Sequence, residues 1–423
     1  MRGSNVWRFV ALIAVCLAVV AVTAAAQASN KGALVVNVTA GFNTVKVSFT
    51  TPLPTAASVN TSIDRSFALT VLDRRLKKTH NVTIRALAPA TTYNIRVVAQ
   101  PLKGKPATWT GSFQTQDYGS TPMAIAAKGS KITLNGAPFF VIANKSACPT
   151  PAMFAFDQSA GINVEEGITA DCPDSSATPQ QNTEALHSII SGQVGWRETS
   201  ISPDPASLAG LPELLNWGSG IRVTFEPFFP QSVCGTQRNL TVPLYQLANK
   251  YASSGAAVIY SRSIGDLAKG PQTCLTRPRL ANIFWSIVEA GGAGIEYAYE
   301  VDQGSTTVQT AQNVVLAAAK QAADQIATLE AAFGTGKPIA VKTAGCSTVK
   351  PNFISYGGVL YAVAVNNDDA PARCTFSLPK AAGPTVQRLW EGGNLKLKGG
   401  TFSDSFVALG VHLYKVMPAI TKK

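Results

Sequence analysis

Short β-rich runs at both ends of the chain, with strand-like and helix-like stretches alternating between them, predict a multidomain protein. The expected order is a small β-sandwich, a (β/α)8 barrel and a second β-sandwich. Length agrees, because 423 residues are too many for a single core. Charge divides the chain at the same places. Residues 31–117 hold 11 Lys/Arg against 3 Asp/Glu, residues 118–349 hold 14 against 17, and residues 350–423 hold 9 against 4. The basic excess therefore sits on the flanks and the middle is slightly acidic.

The first residues read as an export signal. Arg2 and Arg8 precede an apolar run from Phe9 to Val22, and Ala24-Ala25-Ala26-Gln27-Ala28 supplies a small-residue cleavage site. Residues 1–28 are expected to be removed, leaving a secreted, extracellular monomer. The apolar run is shorter than the roughly 20 residues of a spanning helix, and no second such run follows, so no transmembrane segment is expected. Of seven cysteines, Cys16 leaves with the leader. The other six, Cys148, Cys172, Cys234, Cys274, Cys346 and Cys374, fit disulfides paired in sequential order, each closing a loop within one domain. There is no C-x-x-C and no H-E-x-x-H, and His80, His187 and His412 lie far apart, so neither metal nor cofactor is implied.

Residues 31–117 carry six β-rich runs, ALVVNVT, TVKVSFT, FALTVLD, HNVTIRAL, TTYNIRVVA and TWTGSFQT, separated by Gly, Pro, Asn and Ser. The stretch Leu87-Ala88-Pro89-Ala90-Thr91-Thr92-Tyr93 resembles the corner of a fibronectin type III module. The resemblance implies that Tyr93 bonds its hydroxyl back to the backbone, and that this unit is a spacer or binding module. Asp117–Pro122 reads as a linker.

The barrel is expected over residues 123–336. Asn135-Gly136 between two β-rich runs signals a two-residue hairpin, and Phe139–Ala143 is the expected first barrel strand. Ile162–Val164, Val194–Trp196, Ile221–Phe225, Ala256–Tyr260 and Gly294–Tyr299 are further strands. Among the helices, Leu280–Glu289 is amphipathic, and 305–333 keeps Val308, Val315, Ala319, Ala322, Ile326 and Phe333 near helical spacing, with Gly334 as its stop. Six or seven strands are legible and eight are expected. From Lys337 to Lys423 the pattern returns to β, in VLYAVAVNN, CTFSLP, VQRLWEG, NLKLKGGTFSDSF and GVHLYKV.

Three phrases of this region resemble glycoside hydrolases with a TIM barrel and an attached C-terminal β-domain. They are Asn135-Gly136-Ala137-Pro138-Phe139 before the first strand, the Trp285 helix leading through Gly291–Gly294 into a late strand, and Phe402-Ser403-Asp404-Ser405-Phe406 followed by Gly410-Val411-His412-Leu413-Tyr414. The resemblance implies a carbohydrate substrate or cell-wall polymer as partner. Trp285, on an amphipathic helix, reads as core, and His412, inside a strand, as structural.

Acids close several barrel strands: Glu165-Glu166, Glu226 after Ile221–Phe225, and Glu300 after Gly294–Tyr299, with Glu296 within that last strand. Parallel strands would bring these carboxylates to one mouth. Glycoside hydrolysis needs two, one protonating the leaving oxygen and the other attacking the sugar or activating water. Glu226 is the expected first member, with Glu300 or Glu296 as its partner. Glu166, Trp196, Phe228, Tyr297 and Tyr299 are candidates for holding the sugar, with core packing the alternative for the aromatics. One departure stands out. Phe225 precedes Glu226, where many such barrels carry Asn. A non-catalytic carbohydrate- or wall-binding protein on a degenerate glycosidase scaffold is therefore the competing expectation. Nucleic acid is not an expected partner, because the basic flanks contain neither a basic helix nor a stacking-aromatic pattern.

Overall fold

The fold is taken from a computed structural model, which describes residues 34–116, 125–128, 131–145, 163–166, 198–201, 220–224, 258–263, 277–298, 306–368, 370–379 and 382–418. No helix among them is long and apolar enough to cross a membrane.

The chain begins with β1 (Val36–Ala40), β2 (Thr44–Ser62), β3 (Leu69–Arg85), β4 (Thr92–Pro101) and β5 (Ala107–Gln114). Six short runs were expected here, but two of them, FALTVLD and HNVTIRAL, are the two ends of the single strand β3. β2 is also long, and both strands serve two layers. Thr44–Thr50 of β2 pairs with β1 and with the second half of β3, whereas Thr55–Ser62 pairs with β4 and the first half of β3. The ladder breaks between Thr50 and Thr55, where Pro52 and Pro54 supply no amide. Val45, Val47, Phe49, Val59, Leu69, Ile84, Ile95 and Val97 fill the space between the layers. The break is pinned by a buried polar chain. His80 stacks on Phe49, and its ring nitrogens lie 2.9 Å from the Thr55 hydroxyl and 3.0 Å from Asp73. Tyr93 is fully buried, and its hydroxyl accepts the Ala88 amide at 2.9 Å, as the corner motif implied.

Next come β6 (Ile125–Lys128), β7 (Lys131–Leu134) and β8 (Ala137–Pro138). Asn135 and Gly136 form the predicted tight turn, with φ of 49° and 79°, the left-handed values that a type I′ hairpin needs. Six strands of one sheet follow: β9 (Val141–Lys145), β10 (Val164–Glu166), β11 (Glu198–Ile201), β12 (Gly220–Thr224), β13 (Val258–Ser263) and β14 (Gly294–Ala298). All the ladders among them are parallel, in the order β10-β9-β14-β13-β12-β11. The first strand in sequence thus pairs with the second on one side and with the last on the other. Eight strands were expected, but the described residues contain six, and no ladder among them joins β10 to β11. The first strand starts two residues later than expected, because the Phe139 amide still bonds Ile132 in the hairpin at 2.9 Å.

Helix α1 (Arg277–Glu289) precedes β14 and α2 (Thr306–Thr335) follows it. Trp285, Phe284 and Ile283 of α1 and Ala319, Ala322 and Ile326 of α2 are buried in one core with Ile142 and Ile295. Trp285 is therefore core, as expected. α2 runs to Thr335 rather than stopping at Gly334. Gly336 closes it, at a point where a Cβ would lie 2.0 Å from Ile354.

The remaining strands are β15 (Lys337–Pro338), β16 (Lys342–Ala344), β17 (Val349–Tyr356), β18 (Val359–Asn366), β19 (Ala372–Ser377), β20 (Ala382–Arg388), β21 (Asn394–Lys396), β22 (Thr401–Phe406) and β23 (Val411–Pro418). They form a sheet in the order β15-β17-β18-β23-β20-β21 and a second of β16-β19-β22, with a core around Phe353, Phe376, Phe402, Phe406 and Tyr414. Cys346 and Cys374 are disulfide-bonded, with Cα atoms 5.1 Å apart, matching the sequential pairing expected of them. Cys148, Cys172, Cys234 and Cys274 lie outside the described residues.

The first and last units touch directly. Among the described strands the first half of β3 pairs only with β2, which leaves its outer edge without a strand partner. The turn between β17 and β18 covers that edge. The Thr70 amide donates to the Tyr361 hydroxyl at 2.6 Å, that hydroxyl donates to the Thr70 carbonyl at 3.1 Å, and the Leu72 amide donates to the Gly357 carbonyl at 2.8 Å. Alternate residues of an edge strand face outward, and Thr70 and Leu72 are two such residues. α1 joins the last unit through Asn282, whose amide donates to the Asn366 and Leu409 carbonyls, both at 3.0 Å.

Candidate active site

Parallel pairing puts the carboxyl ends of the six strands on one rim. The register orders that rim by rows. Glu166 pairs with Lys145, and Lys145 with Ala298, which pairs in turn with Ser263. One row lower lie Glu165, Asn144, Tyr297 and Arg262. Below that, Glu296 sits between Ala143 and Ser261, and Ser261 pairs with Thr224. Of the expected site residues, Glu166, Glu296 and Tyr297 thus belong to backbone that converges on this rim. Glu226, Glu300, Trp196, Phe228 and Tyr299 lie outside the described residues. Glu226 comes two residues after the last residue of β12, and Glu300 two after the last residue of β14.

The opposite, amino end of the sheet holds acids that the sequence reading did not single out. Glu330 of α2 is 7 % exposed, and its carboxyl accepts the Phe140 amide at 2.6 Å. Burial pushes its pKa up to about 8, with the Phe140 bond opposing the shift. Asn163 completes the clasp on the start of the first strand. Its side chain accepts the Ile142 amide at 2.7 Å and donates to the Phe140 carbonyl at 2.9 Å. Glu289, at the end of α1, is also raised by burial, to about 7, although Lys350 pulls it down. Such shifts often mark a site. Here both residues stand before the strands begin, away from the rim, and Glu330 is enclosed. A protonated Glu330 anchors the strand. Its signal in the sequence is positional, since it lies four residues after Ile326 and three before Phe333, on the apolar stripe of α2.

The closing phrase of the chain also has a structural account. Asp404 is buried and accepts the Tyr414 hydroxyl at 2.8 Å, with Arg388 3.4 Å away, and His412 lies 2.6 Å from Glu391. His412 packs edge-on against Phe406, consistent with the structural role expected of it. Among the described residues no cluster of His, Cys, Asp and Glu could hold a metal ion.

No protein-family model matches the chain, and no curated protein matches it. Solved structures that match include glycoside hydrolases at low identity. A GH30 endoxylanase from Clostridium papyrosolvens C71 is 14 % identical, over 63 % of this chain and 69 % of that one, with a TM-score of 0.32. AmyP in complex with maltose is 11 % identical over 66 % and 97 %, with a TM-score of 0.40. The α-amylase of Geobacillus thermoleovorans in complex with acarbose is 12 % identical over 64 % and 65 %, with a TM-score of 0.36. These scores are below the level of a shared fold.

Proposed function

We propose that this chain is a secreted glycoside hydrolase that cleaves glycosidic bonds of an extracellular poly- or oligosaccharide with two carboxylates. Its units would be a fibronectin type III-like module over 31–117, a barrel over 123–336 and a C-terminal β-sandwich over 337–423, following a leader of residues 1–28. The observation that carries the proposal is the parallel sheet in which Val141–Lys145 pairs with both Val164–Glu166 and Gly294–Ala298. The carboxyl ends of β10, β12 and β14 share one rim, and in the sequence acids follow or end each of those strands. The three-plus-four layering of strand segments in the first unit supports the module assignment.

In this mechanism one carboxylic acid protonates the glycosidic oxygen as its bond to the anomeric carbon breaks. The second carboxylate attacks that carbon or takes a proton from the attacking water. Glu226 is one member, and Glu300 or Glu296 the other. Tyr297, Tyr299, Trp196, Phe228 and Glu166 would contact the sugar.

The test is release of reducing sugar from a polysaccharide panel by the wild type and by Glu226→Gln, Glu300→Gln and Glu296→Gln. Loss of a general acid or base lowers turnover by about a hundredfold or more. Glu226→Gln and one of the other two should show that loss. Undiminished activity in Glu226→Gln removes it from the mechanism. A wild type that binds polysaccharide but releases no sugar overturns the catalytic proposal as a whole.

A further inference from the structure

The first unit carries a surface that the proposed hydrolase does not use. Leu53, Leu76 and Leu102 are 60 %, 43 % and 76 % exposed, and the strand register brings them together. Thr55 of β2 pairs with Lys77 on one side and with Pro101 on the other. Leu53 lies two residues before Thr55, Leu76 is next to Lys77, and Leu102 is next to Pro101. The three leucines therefore stand at one end of the layer, where β2 breaks at Pro52 and Pro54 and where β4 turns into β5. Basic residues flank Leu76 and follow Leu102 in the chain. Arg75, Lys78, Lys103 and Lys105 are exposed. Among residues 51–55, 73–79 and 101–106 the only acid is Asp73, and it is already paired with Lys77 at 2.8 Å.

We infer that this leucine-tipped, lysine-bearing end docks on a bilayer containing anionic lipid. Protruding aliphatic side chains enter the boundary between headgroups and acyl chains, and the basic residues meet the negative surface, so the two contributions act at the same place. The chemistry discriminates against other occupants. An acidic polysaccharide would satisfy the lysines but gives three aliphatic side chains nothing apolar to cover, and these segments contain no aromatic on which a sugar ring could stack. A second copy of the same end would bring lysines against lysines. The outer edge of β3 at Thr70 and Leu72 is occupied by the β17–β18 turn, which Arg74 also reaches through the Gly358 carbonyl, whereas Leu53, Leu76 and Leu102 stay exposed.

Full-length protein is sedimented with phosphatidylcholine vesicles, with and without phosphatidylserine. The expected result is binding only where phosphatidylserine is present, weakened by added salt. Each basic residue removed near the surface should weaken it about fivefold, so Lys103→Glu with Lys105→Glu should all but abolish it. Leu53→Ser, Leu76→Ser and Leu102→Ser together should lower it at least about tenfold while leaving the charge unchanged. All these side chains are solvent-exposed, and an unchanged unfolding transition establishes that the variants fold. Absence of vesicle binding, or leucine variants that bind as tightly as wild type, overturns the inference. Binding to polygalacturonate that ignores the leucines, without vesicle binding, assigns the surface to an acidic polymer instead and also overturns it. Neither result depends on whether the chain hydrolyses sugar.

Discussion

Tyr361→Phe isolates the contact between the first and last units. The ring remains, so packing is retained, and only the hydroxyl is lost. That hydroxyl accepts from the Thr70 amide at 2.6 Å and donates to the Thr70 carbonyl at 3.1 Å, and both residues are fully buried. The substitution leaves an N–H and a C=O without partners in a closed interface. Each such group costs about 1–3 kcal/mol, so a loss of about 2–6 kcal/mol is expected for the two, with the lower end applying if a water takes the vacated place. Urea unfolding followed by tryptophan fluorescence measures the loss. Amide hydrogen exchange locates it, because Thr70 should exchange faster while Leu72, still bonded to the Gly357 carbonyl, is less affected. A destabilisation below about 0.5 kcal/mol, with Thr70 exchange unchanged, would refute the proposal that this hydroxyl caps the open edge of β3.

Three further outcomes follow from the same kind of reasoning. Glu330 titrates near 8 in the folded chain against an ordinary 4.5, so between those values the folded state holds a proton that the unfolded state releases. Its contribution is fully present below about pH 4.5 and declines as pH rises towards 8, at about 1.4 kcal/mol per pH unit within the window. Glu330→Gln keeps an acceptor for Phe140 but cannot ionise. The stability of the variant relative to wild type should therefore climb between pH 5 and 8 in denaturant titrations, and groups common to both proteins cancel in the difference. Gly357→Ala should cost at least about 1–2 kcal/mol, because φ is +57° and a Cβ would lie 3.0 Å from the Thr70 carbonyl; thermal unfolding checks it. Cys346→Ser with Cys374→Ser opens a link spanning 28 residues and should lower stability by about 3 kcal/mol; a wild-type urea midpoint would count against it.

Local chemistry made much of the fold legible. Asn135-Gly136 fixes a hairpin because both residues tolerate positive φ, and the 3.6-residue spacing of Ala319, Ala322 and Ile326 survives burial unchanged. Tyr93 was readable because its corner is a local motif, five residues from the amide it accepts. The rest needed partners remote in sequence. Nothing in FALTVLD and HNVTIRAL reveals that they are one strand crossing two layers, because crossing depends on what pairs with each half. Thr70 and Tyr361 are 291 residues apart, and neither carries a pattern that points to the other. The rim was legible only as a list of acids at strand ends. The row each occupies, such as Glu296 between Ala143 and Ser261, follows from register, which sequence alternation leaves free by steps of two.

The two buried acids sharpen how a site should be sought in such a chain. Glu330 and Glu289 have the raised pKa values expected of a general acid, while Glu226 and Glu300 are singled out by strand direction alone. A shift records how much water a carboxyl has lost, and a helix packed against a sheet removes water as effectively as a substrate cleft does. Strand polarity separates the two cases. In a parallel sheet the carboxyl ends carry the loops that can close around a ligand, and the amino ends carry connections that hold the scaffold. Glu330 grips the residue just before the first strand begins, so its proton belongs to folding. Glu226 and Glu300 follow the carboxyl ends of β12 and β14 in the sequence, so under the proposed mechanism substitution there should change turnover far more than stability, and substitution of Glu330 should do the reverse.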